Sequence, residues 1–371
     1  MRSILWAVAL LLLILSCKKE NNGLIPIKPG TMEVHPDDIL EMPISIVLNP
    51  TGLTPLAALA KVNSLDSTTI LYKLLGVKPL GQAFSQPAKH HAIPLLGLRA
   101  GIENKVVLTV TNPDGYFARD TLSITTDPLP DYFPDIEVTY SDLRQMELGM
   151  NLAELNIGSD HNFKTQPILF DYHGEIRWYI LLDFTGDWTA PFERLRNGNF
   201  IFGRNSTIYE FDILGRSVAE YYIEGYSQHH DIIEKPDGNL IAAVSKWSAG
   251  TGLDFIIEID RQSKAIIREW DLRQILDIDR FDLSYDEYDW VHVNSIWYDE
   301  RDESLLVSGR NQGMAKISKD NDLIWILAAH KGWGKAGVDG DGPETYDYLL
   351  EAVDEQGSPY ADAVQLGSER H

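Results

Sequence analysis

Three short polar clusters carry the residue types that could do chemistry in this chain: Gln228-His229-His230-Asp231-Ile232, Asp289-Trp290-Val291-His292-Val293-Asn294-Ser295 and Ser308-Gly309-Arg310-Asn311. Each lies beside a run of strand-forming residues and is expected outside the strand itself. If the fold brings His230, His292 and Arg310 into one pocket, two imidazoles, an amide and a guanidinium would bind a tetrahedral oxyanion and neutralise charge as it develops. A neutral imidazole nitrogen is a competent nucleophile near neutral pH, and Arg keeps its charge and spreads it over several oxygens. Each residue also has a plainer reading. A His ahead of a strand is often a capped surface residue, and an Arg after one is usually a solvated edge. Zinc is disfavoured, because adjacent His230 and Asp231 would alternate faces in a strand and no third spaced ligand stands out. Asp339 and Asp341 lack the further carboxylates of a calcium loop. No metal or other cofactor is therefore expected. No Gly-rich phosphate loop, dinucleotide fingerprint or G-x-S-x-G elbow occurs, so nucleotide and serine-hydrolase chemistry have no support.

The elements that must position these clusters read as β-strands. Between about 30 and 130, Ile44-Ser45-Ile46-Val47-Leu48 and Val106-Val107-Leu108-Thr109-Val110 each run into an Asn/Pro turn, Asn49-Pro50-Thr51-Gly52 and Asn112-Pro113-Asp114-Gly115. Asp120-Thr121-Leu122-Ser123-Ile124 returns. Paired short strands with such turns predict a small Ig-like β-sandwich. Pro128, Pro130 and Pro134 mark the boundary after it. From 131 a theme recurs: Pro167 to Asp171 with Ile176-Arg177-Trp178, then Asn199 to Phe202 with Thr207 to Asp212. It returns as Asn239 to Ala242 with Phe255 to Asp260 and Trp270, and again as Ser304 to Ser308 with Ala315 to Ile317 and Leu323 to Leu327. Gly198-Asn199 and Gly238-Asn239 stand 40 positions apart. A four-stranded unit repeating at roughly 40–50 residues is the signature of a propeller blade. The expectation is an all-β chain, a β-sandwich over 30–130 followed by a β-propeller over 131–371, with corresponding blade starts converging near a central channel. Residues 332–371 leave the theme for a Gly-rich loop and a short helix near Tyr346 to Val353. Closure would need a further blade.

Composition narrows the partners. The 371 residues carry a formal net charge of −23, which opposes nucleic acid and anionic membrane surfaces. An anionic substrate would have to be held by a local cluster against the field of the whole protein. The nine Trp and sixteen Tyr suit strand packing in a β protein.

Taken in order, the His229-His230-Asp231 run before Pro236-Asp237-Gly238-Asn239, the Asp289 to Ser295 cluster, Ser308-Gly309-Arg310 and Ile324-Trp325-Ile326-Leu327 resemble the bacterial aryl-sulfate sulfotransferases. The resemblance covers roughly residues 40–335. It implies a β-sandwich followed by a six-bladed propeller, and transfer of a sulfuryl group from one phenolic sulfate to another phenol. No nucleotide donor takes part, and the group passes through a sulfohistidine. By position it gives His230, His292 and Arg310 catalytic roles on the sulfonyl group, with His229 and Asn294 binding substrate. The partners it implies are small phenolic sulfates and phenols. One departure matters: the family's nucleophilic His follows a Gln ahead of a later Asn-Gly turn, and nothing after Trp333 matches it. His371 has no Gln before it. The expectation is a chain that stops short of the last blade, or one that has lost the nucleophile. In the second case the protein would be a non-catalytic binding or scaffold lipoprotein.

The N-terminus reads as an export signal. Arg2 is the only charge before the apolar run Ile4 to Leu15, which is too short to span a bilayer. Leu15-Ser16-Cys17 resembles a bacterial lipobox. Residues 1–16 are then a lipoprotein signal, Cys17 carries lipid, and 17–29 form a tether. Contact with a membrane would be through the anchor alone. Cys17 is the only cysteine, so the domains can form no internal disulfide. With no Asp after Cys17, the outer membrane is the expected location, facing periplasm or surface.

Overall fold

The computed structural model describes residues 32–76, 83–147, 149–157, 164–182, 191–280 and 287–358. Cys17, the signal and the tether lie outside the described residues. Apart from three single-turn 3-10 helices the described elements are strands, and none of the described helices is long and apolar enough to cross a membrane. The chain divides into two compact units. One comprises residues up to Ser45 with Lys61–His91 and Lys105–Ser123, and the other Ile46–Ala60, Ala92–Asn104 and everything from Ile124 onward.

The first strands are Met32–Glu33 (β1), Ser45–Leu48 (β2), Ala58–Leu74 (β3), Ala83–Leu95 (β4), Glu103–Thr111 (β5) and Tyr116–Thr125 (β6). They form one sheet in the order β1-β6-β5-β3-β2, with β4 also on β3. Alternating burial along β5 follows the two-residue period of a strand and sends Val106, Leu108 and Val110 into a core with Ile70 and Tyr72. The β5–β6 hairpin closes where its sequence says it should. Asn112 accepts the Gly115 and Tyr116 N–H groups, and Gly115 sits at φ 89°, a conformation open to glycine at little cost.

Among the described residues the second unit holds four sheets in sequence. Asn151–Ile157 (β7), Lys164–Phe170 (β8) and Ile176–Tyr179 (β9) make a three-stranded meander. Three four-stranded meanders follow. The strands of the first are Phe192–Arg194 (β10), Phe200–Arg204 (β11), Thr207–Phe211 (β12) and Ser217–Tyr222 (β13). The next has Tyr226–Glu234 (β14), Leu240–Lys246 (β15), Phe255–Ile259 (β16) and Ile266–Asp271 (β17). The last has Val293–Asp299 (β18), Ser304–Gly309 (β19), Gly313–Ile317 (β20) and Leu323–Leu327 (β21).

The repeat seen in the sequence has a physical cause in each sheet. Leu195 N–H bonds Asn199 O and Lys235 N–H bonds Asn239 O, closing identical β10–β11 and β14–β15 turns on Gly198 and Gly238 at positive φ. The Asn199 amide then donates to Glu210 on β12 at 2.6 Å, and the Asn239 amide to Glu258 on β16 at 3.1 Å. Burial alone would push the Glu210 carboxyl up. Hydrogen bonds from Asn199, Asn197, Arg261 and Tyr221 outweigh it and hold the carboxyl below its usual range.

Apolar cores lie between successive sheets. One joins Trp178 and Leu169 to Phe192, Phe200 and Phe202, and the next joins Ile201 and Ile208 to Ile232, Val244 and Ile257. The third joins Ile241, Ile256 and Trp270 to Val293, Ile296, Leu305 and Val307. Two indoles fix the stacking. Trp178 Nε1–H donates to Ile213 O at 2.8 Å, and Trp270 Nε1–H to Ser318 O at 2.9 Å, so each reaches a hairpin turn of the following sheet. After β21 the chain turns back over this last core. Trp333 and Leu349 pack on it, Leu350 N–H bonds Ile326 O, and a single 3-10 turn, Thr345–Tyr348, replaces the expected helix. Trp270→Phe removes one of the two N–H donors to the half-buried Ser318 carbonyl, which keeps the Asn321 N–H. Unfolding followed by denaturant titration is expected to show a loss of about 0.5–1.5 kcal/mol from that bond with an unchanged slope.

Candidate active site

The first cluster lies inside the first strand of its sheet, which corrects the expectation that it flanks the strand, whereas Asp289 to His292 stand just before β18 and Arg310 and Asn311 just after β19, as expected. Gln228 to Asp231 fall within β14, and Val293 to Ser295 within β18. They escape regular alternation because both strands bulge. On β14, Gln228 pairs with Val244 and Ile232 with Ala242, so His229, His230 and Asp231 oppose one residue. On β18, Val293 pairs with Gly309 and Ser295 with Ser308, which leaves Asn294 as the extra residue. A bulge re-aims side chains that a flat strand would send to opposite faces. His230 at φ 50° and His292 at φ 54° are both left-handed, an uncommon state for non-glycine residues.

This geometry brings the two imidazoles together. His230 Nε2 lies 2.9 Å from His292 Nε2, with ring centroids 4.8 Å apart. The His229 ring meets His230 edge-on at 5.4 Å. His292 is buried, and its Nδ1 sits 2.7 and 2.8 Å from the two Asp289 oxygens. Arg310 reaches the same carboxylate, its guanidinium donating to Oδ2 at 2.8 Å with nearly half its side chain exposed. Asn294 is exposed beside the bulge. His230, His292 and Arg310 are thus gathered, the last through Asp289. Asp231 turns away from the imidazoles and accepts the Ile296 N–H at 2.7 Å. Among the described residues no three His, Cys, Asp or Glu side chains are placed to hold a metal ion.

The electrostatics favour neutral forms of His229 and His230. Burial drives His229 down to about 3, and neighbouring His230 and His292 add to the shift. Both His229 ring nitrogens are shut off from solvent without a hydrogen-bond partner. His230 is lowered by burial first and then by His292 and Arg310, with Asp289 pulling the other way.

Among the supporting residues Asn311 was named only as part of its cluster, and Gln312, Arg280 and Asp254 were not singled out in the sequence. Asn311 donates to Asp289 O at 2.6 Å, and Gln312 to Trp290 O at 2.8 Å and Arg280 O at 2.7 Å. The Trp290 indole donates to fully buried Asp254 at 2.9 Å, whose carboxyl burial pushes up to about 6. Arg310 N–H bonds His292 O, and Val291 O accepts from Asn311 N–H. Gly309 leaves room for this approach, since a Cβ there would lie 2.9 Å from Val291 O. Of these partners Asp289 alone had a local signal, a carboxylate three residues before a His. The others lie up to 36 residues from the group they hold.

Comparison with known proteins follows the same lines. The chain is 24% identical to arylsulfate sulfotransferase AssT of Escherichia coli O6:H1, an alignment that covers 85% of this chain and 67% of that protein. It is 25% identical to the AssT of Lelliottia amnigena over the same shares. Among solved structures, dipeptidyl peptidase 4 of Porphyromonas gingivalis aligns over 72% of this chain and 34% of its own at 12% identity, with a TM-score of 0.26 that carries no argument. The arylsulfotransferase Ig-like domain matches residues 45–127 and the arylsulfotransferase (ASST) domain residues 130–366. With both domains matched in order over most of its length, the chain belongs to the arylsulfotransferase family.

Proposed function

We propose that this protein moves a sulfuryl group from a phenolic sulfate to another phenol without a nucleotide donor, and that His230, His292 and Arg310 form the reacting centre. The observation that carries this reading is the 2.9 Å contact between His230 and His292, with Arg310 joined to the pair through Asp289, in a member of the arylsulfotransferase family. In the first half-reaction a nitrogen of a further imidazole, outside the His230–His292 pair, bonds to sulfur while the sulfur–aryl oxygen bond breaks. The bonding pair stays on the phenol oxygen, which picks up a proton. In the second, the acceptor phenol gives up its proton, its oxygen bonds to sulfur and the nitrogen–sulfur bond of the sulfohistidine breaks. Arg310 is suited to spread charge over the sulfonyl oxygens, and the Asn294 and His229 side chains to line the donor. A neutral imidazole is what both steps require, and burial keeps His229 and His230 in that form.

The proposal extends to architecture and location. The four successive sheets are taken as blades of a β-propeller, preceded by an Ig-like sandwich. Residues 1–16 are taken as a signal and Cys17 as the lipid anchor of an outer-membrane protein facing periplasm or surface. That placement suits a nucleotide-free reaction, because it needs no cytoplasmic donor. With a net charge of −23 the molecule repels sulfate esters at long range, so capture rests on the local cationic and imidazole groups.

Three outcomes test this reading. The protein should release 4-nitrophenol from 4-nitrophenyl sulfate in the presence of a phenol acceptor, and His292→Ala and Arg310→Ala should each lower kcat about 100- to 1,000-fold. Full activity in both variants would overturn the site, and binding without turnover would make the protein a sulfate-ester receptor. The depressed His229 pKa has a second consequence, in stability. The unfolded chain takes up this proton below about 6.5 and the folded one only near 3, so His229 costs stability as pH falls through that window. Asp254, raised to about 6, acts in the opposite sense between its ordinary range and 6. Comparing unfolding midpoints of His229→Leu and the parent isolates the histidine: the variant should gain on the parent from pH 7 to pH 5. Finally, labelled palmitate should enter the protein in growing cells and be absent from Cys17→Ser; equal labelling of both would rule out the anchor.

A further inference from the structure

The proton positions in the Asp289–His292–His230 chain follow from which groups can donate. An ionised carboxylate only accepts, and both Asp289 oxygens lie within 2.8 Å of His292 Nδ1. The proton of that contact therefore sits on Nδ1. In the neutral ring Nε2 is then bare, and the 2.9 Å contact to His230 needs a proton from the other side. His230 must hold its own proton on Nε2, which leaves His230 Nδ1 with a lone pair. The order is fixed from one end of the chain to the other by the carboxylate.

We propose that Asp289 is a positioning residue that sets this tautomer and turns the two imidazoles into a proton relay for the phenol oxygen. The inference rests on the sulfuryl-transfer reading for its chemistry, though not for its geometry. When the acceptor phenol loses its proton to His230 Nδ1, the Nε2–H of His230 passes to His292 Nε2. No net bond is left unmade: one O–H and one N–H break, and two N–H bonds form. The positive charge ends on His292, 2.7 Å from the Asp289 carboxylate, and leaves His230, where Arg310 and the other imidazole oppose it. The same steps in reverse deliver a proton to the leaving phenolate. Asp289 also accepts from Arg310, so one carboxylate sets the spacing between the sulfonyl-binding cation and the relay. Backbone bonds hold this carboxylate in place. Asn311 pins Asp289 O, and Arg310 N–H pins His292 O.

The decisive comparison is Asp289→Asn against the parent, with histidine nitrogens labelled with ¹⁵N. In the parent, His292 should be the Nδ1–H tautomer and His230 the Nε2–H tautomer. In Asp289→Asn the amide offers both a donor and an acceptor to Nδ1, so the His292 resonances should move toward the Nε2–H form or a mixture. In parallel, kcat for acceptor-dependent release of 4-nitrophenol should fall at least about 100-fold while KM changes less than about threefold, and Asp289→Glu should recover part of the rate and the parent tautomer. An Asp289→Asn protein that keeps the Nδ1–H tautomer and kcat within twofold overturns the relay. If the parent itself shows no turnover, the sulfuryl-transfer reading fails, and the nitrogen shifts still decide whether Asp289 sets the tautomer.

Discussion

The Asp231 carboxylate accepts the Ile296 N–H, and this bond ties the bulge of β14 to the first strand of the following sheet. In a regular strand Asp231 and His230 would face opposite ways, and nothing would hold the chain in the extra turn that separates them. The carboxyl is buried enough for its pKa to rise, but the N–H groups of Ile296 and Ile232 resist that rise. A hydrogen bond to a charged acceptor contributes about 1.5–3 kcal/mol, comparable to the conformational cost of the bulge it secures. The bulge sends His230 across to His292. Without it the two histidines would remain on separate sheets, as would the groups that gather on them.

A second constraint is electrostatic. A chain with a net charge of −23 is a poor collector of sulfate esters, and burial lowers the His229 and His230 pKa values, which favours their neutral forms at rest. The standing positive charge at the centre is Arg310, and Asp289 offsets much of it. Such a centre attracts a sulfate weakly in the ground state. It becomes more favourable as charge develops on oxygen, because protonation of the imidazole pair then places a second cation beside it. This is the sense in which a site serves a transition state better than a bound substrate.

Much of the fold was legible because turn chemistry is local. Asn112 to Gly115 and the Gly198-Asn199 and Gly238-Asn239 pairs close hairpins with their own backbone and side-chain atoms, so sequence alone located the strands on either side. The family also showed itself in the order of motifs, which needs no structure. What stayed hidden depends on partners far along the chain. Nothing near His229 announces a bulge, since the partner that secures it is Ile296, 65 residues on from Asp231. Trp178 and Trp270 read as packing aromatics, yet each donates to a turn in the next sheet. Asp254 and Gln312 belong to no motif of the sequence, and only the fold sets them against Trp290.

The distribution of backbone strain follows the same division. Of the non-glycine residues at positive φ among the described residues, Asn49, Asn205, Lys264, Glu303 and Asn321 occupy turns, where short or polar side chains visit that region at modest cost. His230, Leu253 and His292 do not. They stand together: Leu253 O accepts the Val293 N–H next to His292, and His292 reaches His230. Each such residue costs on the order of 1–3 kcal/mol and persists only where its surroundings over-determine it. Here they do, through Asp231 on Ile296, Ser245 on Leu253 N–H, and Arg310 N–H on His292 O. Strain held by that many independent bonds keeps two imidazoles at contact distance before any substrate arrives. The rearrangement that a relay would otherwise need during the reaction is completed during folding.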